Sequence, residues 1–316
     1  MLNFLLRRTL LALPALFGVA LVVFILMRTI PGDVVTNLVG LEGNLSAERQ
    51  DELRRLFGLD LPIHTQFALW FGSALQGDLG SSLRTGRPVV GDLLLRLPVT
   101  LELTLLSLVV ALLIALPAGI LAARRRGSVL DYSLSAFALL GLSIPSFFLG
   151  ILMILLFSLQ LRWLPPAGYV PLQESLLLNL QHMALPAISL GLILAAATMR
   201  IVRSSVLEMK SRDFVRTAQA KGLSEGTVTL KHVLRNALIP VVTVVGLQFG
   251  TLLGGTVIIE QVFSLPGIGR FALEGINLRD YPVVQGAVLF IALAFVLVNL
   301  LTDLLYSLID PRIRYD

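Results

Sequence analysis

Apolar runs long enough to span a bilayer recur along the chain at about 9–27, 100–122, 134–158, 184–202, 237–260 and 284–307. Each is close to the roughly 20 residues a helix needs to cross about 30 Å of hydrocarbon. Helices are the default there, because lipid offers no partner to an open backbone N–H or C=O. Prolines inside the runs (Pro14, Pro117, Pro145, Pro186 and Pro240) predict kinks. The first run follows Arg7 and Arg8 and could be misread as a secretory signal, but it is long for one and no small-x-small cleavage site follows Met27. It reads as an uncleaved first span. The pattern predicts an all-α membrane protein with six transmembrane helices.

Two polar stretches interrupt the runs. In the first, LSAERQDELRRLFGLD spaces Leu45, Leu53, Leu56 and Phe57 near helical periodicity, with Ser46 as an N-cap and Gly58 as a stop. TQFALWFGSALQGDLG then reads as a second amphipathic helix. The two form either a cover packed over the ends of the spans or a docking surface for an external protein. The second stretch, Asp213 to Thr243, is basic and Gly-interrupted. Phe214, Ala218 and Lys221 fall on one helical face with Val215 beside them, Gly222 lets the backbone turn, and Ser224 and Thr227 can cap a following helix. From residue types alone this stretch is either an amphipathic loop lying on lipid headgroups or a surface on which a soluble partner docks.

Composition sharpens the class. The chain is 56% hydrophobic and only 14% charged, well below the roughly one quarter charged of soluble domains. Its formal charge of +5 does not point to nucleic acid, because the aromatic interleaving of such surfaces is missing. The cations instead fall on one side of a six-span topology. Arg7 and Arg8 precede the first span, Arg124–Arg126 follow the second, and Arg312 and Arg314 follow the sixth. Between the fourth and fifth lie Arg200, Arg203, Lys210, Arg212, Arg216, Lys221, Lys231 and Arg235. That side is the cytoplasm, with both termini inside. The opposite short loops hold only Arg162, Arg270 and Arg279. The division predicted is a first transmembrane helix at 1–27, an external helical loop subdomain at 28–99, and a five-helix core at 100–316 with a cytoplasmic loop at about 203–236.

Several chemistries are excluded. The chain has no Cys, no GxxxxGK[ST], no HExxH and no GxSxG. Its three histidines, His64, His182 and His232, are far apart, so no metal site is expected. The chain therefore cannot bind ATP through a P-loop. An intramembrane enzyme would have no visible catalytic constellation, and no internal repeat supports an inverted-repeat transporter.

The basic stretch resembles the cytoplasmic EAA loop of binding-protein-dependent ABC importers. Aligned on Gly222, the general pattern matches at Ala218, Gly222 and Leu234 only. The form in the peptide, glutathione and nickel branch, D-[FY]-[VI]-R-T-A-x-A-K-G-L followed by LRNAL-x-P, matches nearly every position of Asp213–Leu223 and Leu234–Pro240. The resemblance extends along the chain. It includes Pro31-Gly32-Asp33, Gly58–Pro62, Gly77–Ser81, Trp163–Tyr169, Glu260–Arg270, Arg279–Gly286 and Asp310–Tyr315. It is similar to the first membrane subunit of dipeptide, oligopeptide and glutathione importers. That similarity implies a non-catalytic permease in the bacterial inner membrane. It would pair with a homologous second permease, two cytoplasmic ATPases that carry ATP and Mg, and an external binding protein. It also implies an ATPase-docking helix made of Asp213, Arg216, Thr217, Ala218, Ala220, Lys221, Gly222 and Leu223. Short peptides are the favoured cargo, with glutathione, nickel chelates and opines as alternatives. A stand-alone secondary transporter or channel is the competing class and would not need the docking motif.

Polar and small residues in the spans complete the candidates. Glu260, Asn299 and Asp303 lie near span ends, where a structural role competes with a functional one. Gln248 lies deeper, and Gly250 and Gly254 form a small-xxx-small pair that favours close helix contact. These six are expected on the pathway or a helix interface.

Overall fold

The computed structural model describes residues 2–29, 47–56 and 58–309. The expected Ser46 cap and the Pro31-Gly32-Asp33 and Asp310–Tyr315 motifs lie outside them. The described residues are helical, with a single isolated bridge between Ser81 and Pro88. Five helices are long and apolar enough to cross a membrane: Arg8–Thr29, Val89–Arg124, Leu176–Lys210, Glu225–Gly255 and Tyr281–Leu304. A sixth span exists if Val129–Ser143 and Ser146–Gln160 count as one, since the chain bends by 99° between them.

That bend is where the uninterrupted run at 134–158 differs from the fold. Ile144 is extended (φ −90°, ψ 123°) and Pro145 caps the next helix at φ −62°, ψ 140°. The proline ring disfavours helical geometry in the residue before it, which ends the first half. Pro14, Pro186 and Pro240 sit inside continuous helices. The second spanning helix starts at Val89, well before the apolar run at 100, and the helix that covers the run at 237–260 ends at Gly255, leaving Val257–Val262 as a separate short helix.

The chain divides into two compact units. The first comprises residues 1–100 and 266–296. Its helices are α1 (Leu2–Thr29), α2 (Ala47–Leu56), α3 (Ile63–Leu75), the start of α4 (Val89–Arg124), Ile268–Leu278, and the part of the last helix (Tyr281–Ile309) up to Val296. Gly58 ends the polar stretch at φ +62° and its N–H bonds to the Arg55 carbonyl (3.0 Å). α3 packs an aromatic cluster on α1, with Phe67 edge-on to Phe17 and Phe24 and stacked on Phe71. Such pairs are worth about 0.5–1.5 kcal/mol beyond the area they bury.

The Gly77–Ser81 and Arg279–Gly286 motifs meet in this unit. Asp280 accepts from the adjacent Ser82 hydroxyl (2.6 Å) and from the Leu83 N–H (3.2 Å). Leu79 and Val89 pack against Gly286, and Pro282 against Gly80. Ile268, in the Glu260–Arg270 motif, donates its N–H to Thr100 Oγ1 (2.9 Å). Asp280 is buried, so Asp280→Ala leaves two donors unsatisfied. It is expected to cost about 2–6 kcal/mol, from about 1–3 kcal/mol per orphaned group. A fall in the melting temperature of the purified protein measures this, with Asp280→Asn retaining part of the loss-free pairing.

The second unit comprises residues 101–265 and 297–316. It holds the rest of α4, α5 (Val129–Ser143), α6 (Ser146–Met153) with its π-helical continuation Ile154–Gln160, and α7 (Leu176–Lys210). α8 (Asp213–Ala220), the single turn α9 (Glu225–Thr227), the π-helical Val228–Val233, α10 (Leu234–Gly255) and the end of the last helix complete it. An alanine seam of Ala111, Ala115 and Ala122 meets Ala138, Ala195 and Ala196. Small side chains let helix backbones approach closely, which favours association in lipid. The Trp163–Tyr169 loop is anchored by the Gly168 N–H on the Phe263 carbonyl (2.9 Å) and by the Tyr169 hydroxyl on Glu102 (2.9 Å). Burial, and then the bond to that carboxylate, push the Tyr169 phenol up to about 12. It therefore stays a neutral donor at physiological pH.

Candidate functional site

The segment from Asp213 to Leu223 folds as one short helix and a glycine turn. Ser211 caps the end of α7, and its N–H reaches back to the Glu208 carbonyl (3.1 Å). α8 then begins at Asp213, an acid in the first turn where the helix dipole favours it. Lys221 caps its C-terminus and Gly222 takes φ +79°. A side chain in that left-handed region costs roughly 1–2 kcal/mol, which explains the glycine. Ser224 caps the next turn by accepting from the Thr227 N–H (3.4 Å).

The buried face of α8 is narrower than the sequence reading. Val215 and Ala218 are buried, one turn apart, in a cluster with Val202, Val206, Val228, Val233 and Ala237. Phe214 and Lys221 are exposed, so the buried strip does not extend to them. A helix of eight residues seated along one edge buries an i, i+3 pair and leaves the rest out. Asp213, Arg216, Thr217, Ala220, Gly222 and Leu223 are also exposed. The result is a contiguous surface of three charged groups, one phenyl and one leucine, with Gly222 at its rim. Its base is held by the Lys210 ammonium on Glu225 Oε1 (3.2 Å). The Arg216–Asp213 pair is long (3.7 Å) and solvent-exposed, so it contributes little.

The spanning candidates are dispersed. Gln248 is half-buried and exchanges hydrogen bonds with the buried Thr198 of α7 (3.1 and 3.3 Å). Gly250 is buried and Gly254 half-buried. A close approach on α10 falls at Gly246, where an added Cβ would meet the Thr302 side chain of the last helix. Asn299 and Asp303 are half-buried on that last helix. Glu260 is fully buried in the short helix after α10 and accepts from the Thr256 hydroxyl (2.8 Å).

A buried ion pair was missed by the sequence reading, which counted Arg203 only as a cytoplasmic cation. Arg203 donates to Asp131 through Nε (2.6 Å) and Nη2 (2.8 Å), joining α7 to α5. Asp131 also accepts from the Gly127 N–H (3.0 Å), while Ser128 accepts from the Asp131 N–H (3.3 Å). The signal available was Ser128-x-x-Asp131 before an apolar run, which is the spacing of a capping box. Among the described residues no group of histidine and acidic side chains could hold a metal ion.

Comparison with known proteins agrees with this architecture. The family model for the inner membrane component of binding-protein-dependent transport systems matches residues 115–315, and the model for its N-terminal part matches residues 1–104. The glutathione transport system permease protein GsiC of Escherichia coli O6:H1 is 43% identical over the full length of both chains. The di/tripeptide transport system permease protein DppB of Pseudomonas aeruginosa is also 43% identical, over 100% of this chain and 99% of its own. Among solved structures, the inward-facing MetNI methionine ABC transporter superposes at TM-score 0.54 and 20% identity, covering 69% of this chain and 96% of its own. An amino acid ABC transporter superposes at TM-score 0.50 and 16% identity, covering 71% and 94%. Five to six apolar helices, this fold and full-length identity identify the chain as a multi-pass permease, the membrane subunit and not the ATPase, that belongs to the family of inner membrane components of binding-protein-dependent transport systems.

Proposed function

We propose that the chain is half of the translocation pathway of an ATP-driven importer of short peptides or glutathione. It crosses the bacterial cytoplasmic membrane six times with both termini inside, the bent pair acting as the third span. A homologous second permease supplies the other half, two ATPases carry ATP and Mg, and an external binding protein delivers the cargo. The segment 28–99 lies outside. The observation that carries the reading is the exposed Asp213–Leu223 surface, set on the buried Val215–Ala218 base between two spanning helices. A partner that closes on ATP would move this base, and through it α7 and α10. The substrate class rests on the relatives named for glutathione and di/tripeptides, and nickel chelates or opines are the alternatives. Reconstituted with its neighbours' ATPases, second permease and binding protein, the chain should support ATP-dependent uptake of a labelled dipeptide or glutathione. Uptake that persists without the ATPases would instead favour a secondary transporter.

Gln248, Gly250, Gly254, Glu260, Asn299 and Asp303 are assigned to the pathway or its helix contacts. With no native Cys, Gln248→Cys is the only thiol in the chain. Its labelling by a polar thiol reagent is expected to change several-fold between nucleotide-free and ATP-bound complexes. Complete protection in every nucleotide state would remove Gln248 from the pathway.

A further inference from the structure

Two contacts fix α5 and α7 as an antiparallel pair. Asp131 meets Arg203 at one end (2.6 Å). At the other, a Cβ added to Gly141 would lie 3.2 Å from the Ala196 Cβ. Between these points Ala138 packs with Ala195 and Met199. Beside that seam the helices leave an open groove of about 590 Å³, within the roughly 300–1,000 Å³ range of small-ligand sites. One stripe of each helix lines it. Ser135, Leu139 and Leu142 stand at i, i+4 and i+7 on α5, and Ala197, Ile201 and Ser204 at the same spacing on α7, with Arg200 and Arg203 beside them. Leu139, Leu142, Arg200 and Ser204 are exposed, so the lining is open to an occupant.

Polarity is graded along the groove. The register set by the two contacts puts Ser135, Arg200, Arg203 and Ser204 toward the Asp131 end. It puts Leu139, Leu142 and Ala197 toward the Gly141 end. The polar end carries excess positive charge. Asp131 is already held by Arg203 through two bonds (2.6 and 2.8 Å), and Arg126 lies within its electrostatic reach. Arg200 pairs with no acid among the described residues. Tyr132, 68% exposed, lies within electrostatic reach of Arg203. Exposed tyrosines on spanning helices gather at the headgroup level. The cations therefore sit at headgroup depth, and the leucines lead along the spanning α7 toward hydrocarbon.

We infer that the α5–α7 groove holds an anionic phospholipid, with Arg200 and Arg203 on its phosphate and Leu139 and Leu142 against the start of an acyl chain. Basic pockets between spanning helices take such headgroups. A zwitterionic lipid brings its own ammonium into a site with positive charge to spare, so the groove discriminates against it.

The absence of native Cys supplies the readout. Leu140 is 62% exposed and stands next to the groove without lining it, so Leu140→Cys carries a bimane label. Val22→Cys on α1, 56% exposed, reports ordinary surrounding lipid. The full-length chain is reconstituted in phosphatidylcholine, alone and in the assembled importer, with a small fraction of brominated phosphatidylglycerol or brominated phosphatidylcholine. At Leu140→Cys the brominated phosphatidylglycerol should quench at an effective concentration about fivefold lower than the brominated phosphatidylcholine, the enrichment that one headgroup-level cation confers. At Val22→Cys the two should be equal. Arg200→Gln should bring the ratio at Leu140→Cys near parity, whereas Arg124→Gln, an exposed cation outside the groove, should leave it. Equal quenching by both lipids at Leu140→Cys, or a preference that Arg124→Gln removes as fully as Arg200→Gln, overturns the assignment. So does a preference lost in the assembled importer, which would mean that a protein subunit covers the groove. The comparison of lipids at unaltered cations needs no substitution at Arg200, so a poorly folding variant leaves the test decisive.

Discussion

Gly222→Asp is expected to reduce ATP-dependent uptake at least tenfold while leaving the permease folded and assembled. The physical grounds separate these two outcomes. Gly222 holds φ +79°, and an added Cβ there would meet no atom within 4 Å. The fold therefore bears only the backbone strain of roughly 1–2 kcal/mol, at an exposed turn outside the buried Val215–Ala218 cluster. A partner seated on the rim of α8 would meet a new side chain and a negative charge beside Lys221 and Arg216. A docked helix end packed at native density cannot absorb that volume without shifting. Gly222→Asn introduces the same bulk without the charge and suits the left-handed region better, so it should fall between parent and Asp. Uptake in proteoliposomes and co-purification of the ATPases measure the two effects separately. Unchanged uptake in Gly222→Asp would remove α8 as the docking element.

The features legible in the sequence are those carried by local chemistry. Gly222 and Ser224 announce a stop and a restart two residues apart, and the structure has both. Long apolar runs announce spans because lipid leaves a helix no alternative. Element ends were less legible. The second spanning helix extends back to Val89, since amphipathic residues continue a helix beyond the hydrocarbon without adding to the apolar run. The break at Ile144–Pro145 was readable only as a kink, because the sequence contains the same proline signal at Pro14, Pro186 and Pro240, where helices continue. Contacts distant in sequence were not legible. Ser82 and Asp280 are 198 positions apart and Asp131 and Arg203 are 72 apart. Each motif was visible, but nothing in either string specifies its partner. Likewise, the close approach of Gly246 to Thr302 of the last helix is not announced by either string.

Breaking the Asp131–Arg203 pair is the other substitution with a large expected effect, and its two halves should differ. The Asp131 side chain is 3% exposed and that of Arg203 29%. Arg203→Ala leaves a buried carboxylate with the Gly127 N–H as its remaining charge-stabilising bond among those described above. That is the expensive case, at about 3–5 kcal/mol for an orphaned buried charge. Asp131→Ala leaves a guanidinium that can turn toward water or headgroups on its long stem. It should cost less, about 2 kcal/mol, largely the two charge-assisted bonds. Removing both charges together, as Asp131→Leu with Arg203→Met, removes the desolvation cost with the attraction and should recover most of the loss. In melting temperature, Arg203→Ala is expected to fall by about 5 °C or more, given roughly 2–4 °C per kcal/mol for a domain of this size. The order Arg203→Ala below Asp131→Ala below the double variant is the diagnostic. If all three melt alike, the pair does not hold α5 to α7. The consequence reaches transport, because α7 leads directly into α8 through Ser211 and Arg212. If α8 receives the motion of an ATPase, α7 conveys it, and the Asp131–Arg203 bridge makes α5 move with α7. The single charge variants should then lower the uptake obtained per ATP hydrolysed, more than they lower hydrolysis itself. The double variant, although nearly as stable as the parent, should remain partly uncoupled, because leucine and methionine can slide past each other where a bidentate ion pair cannot.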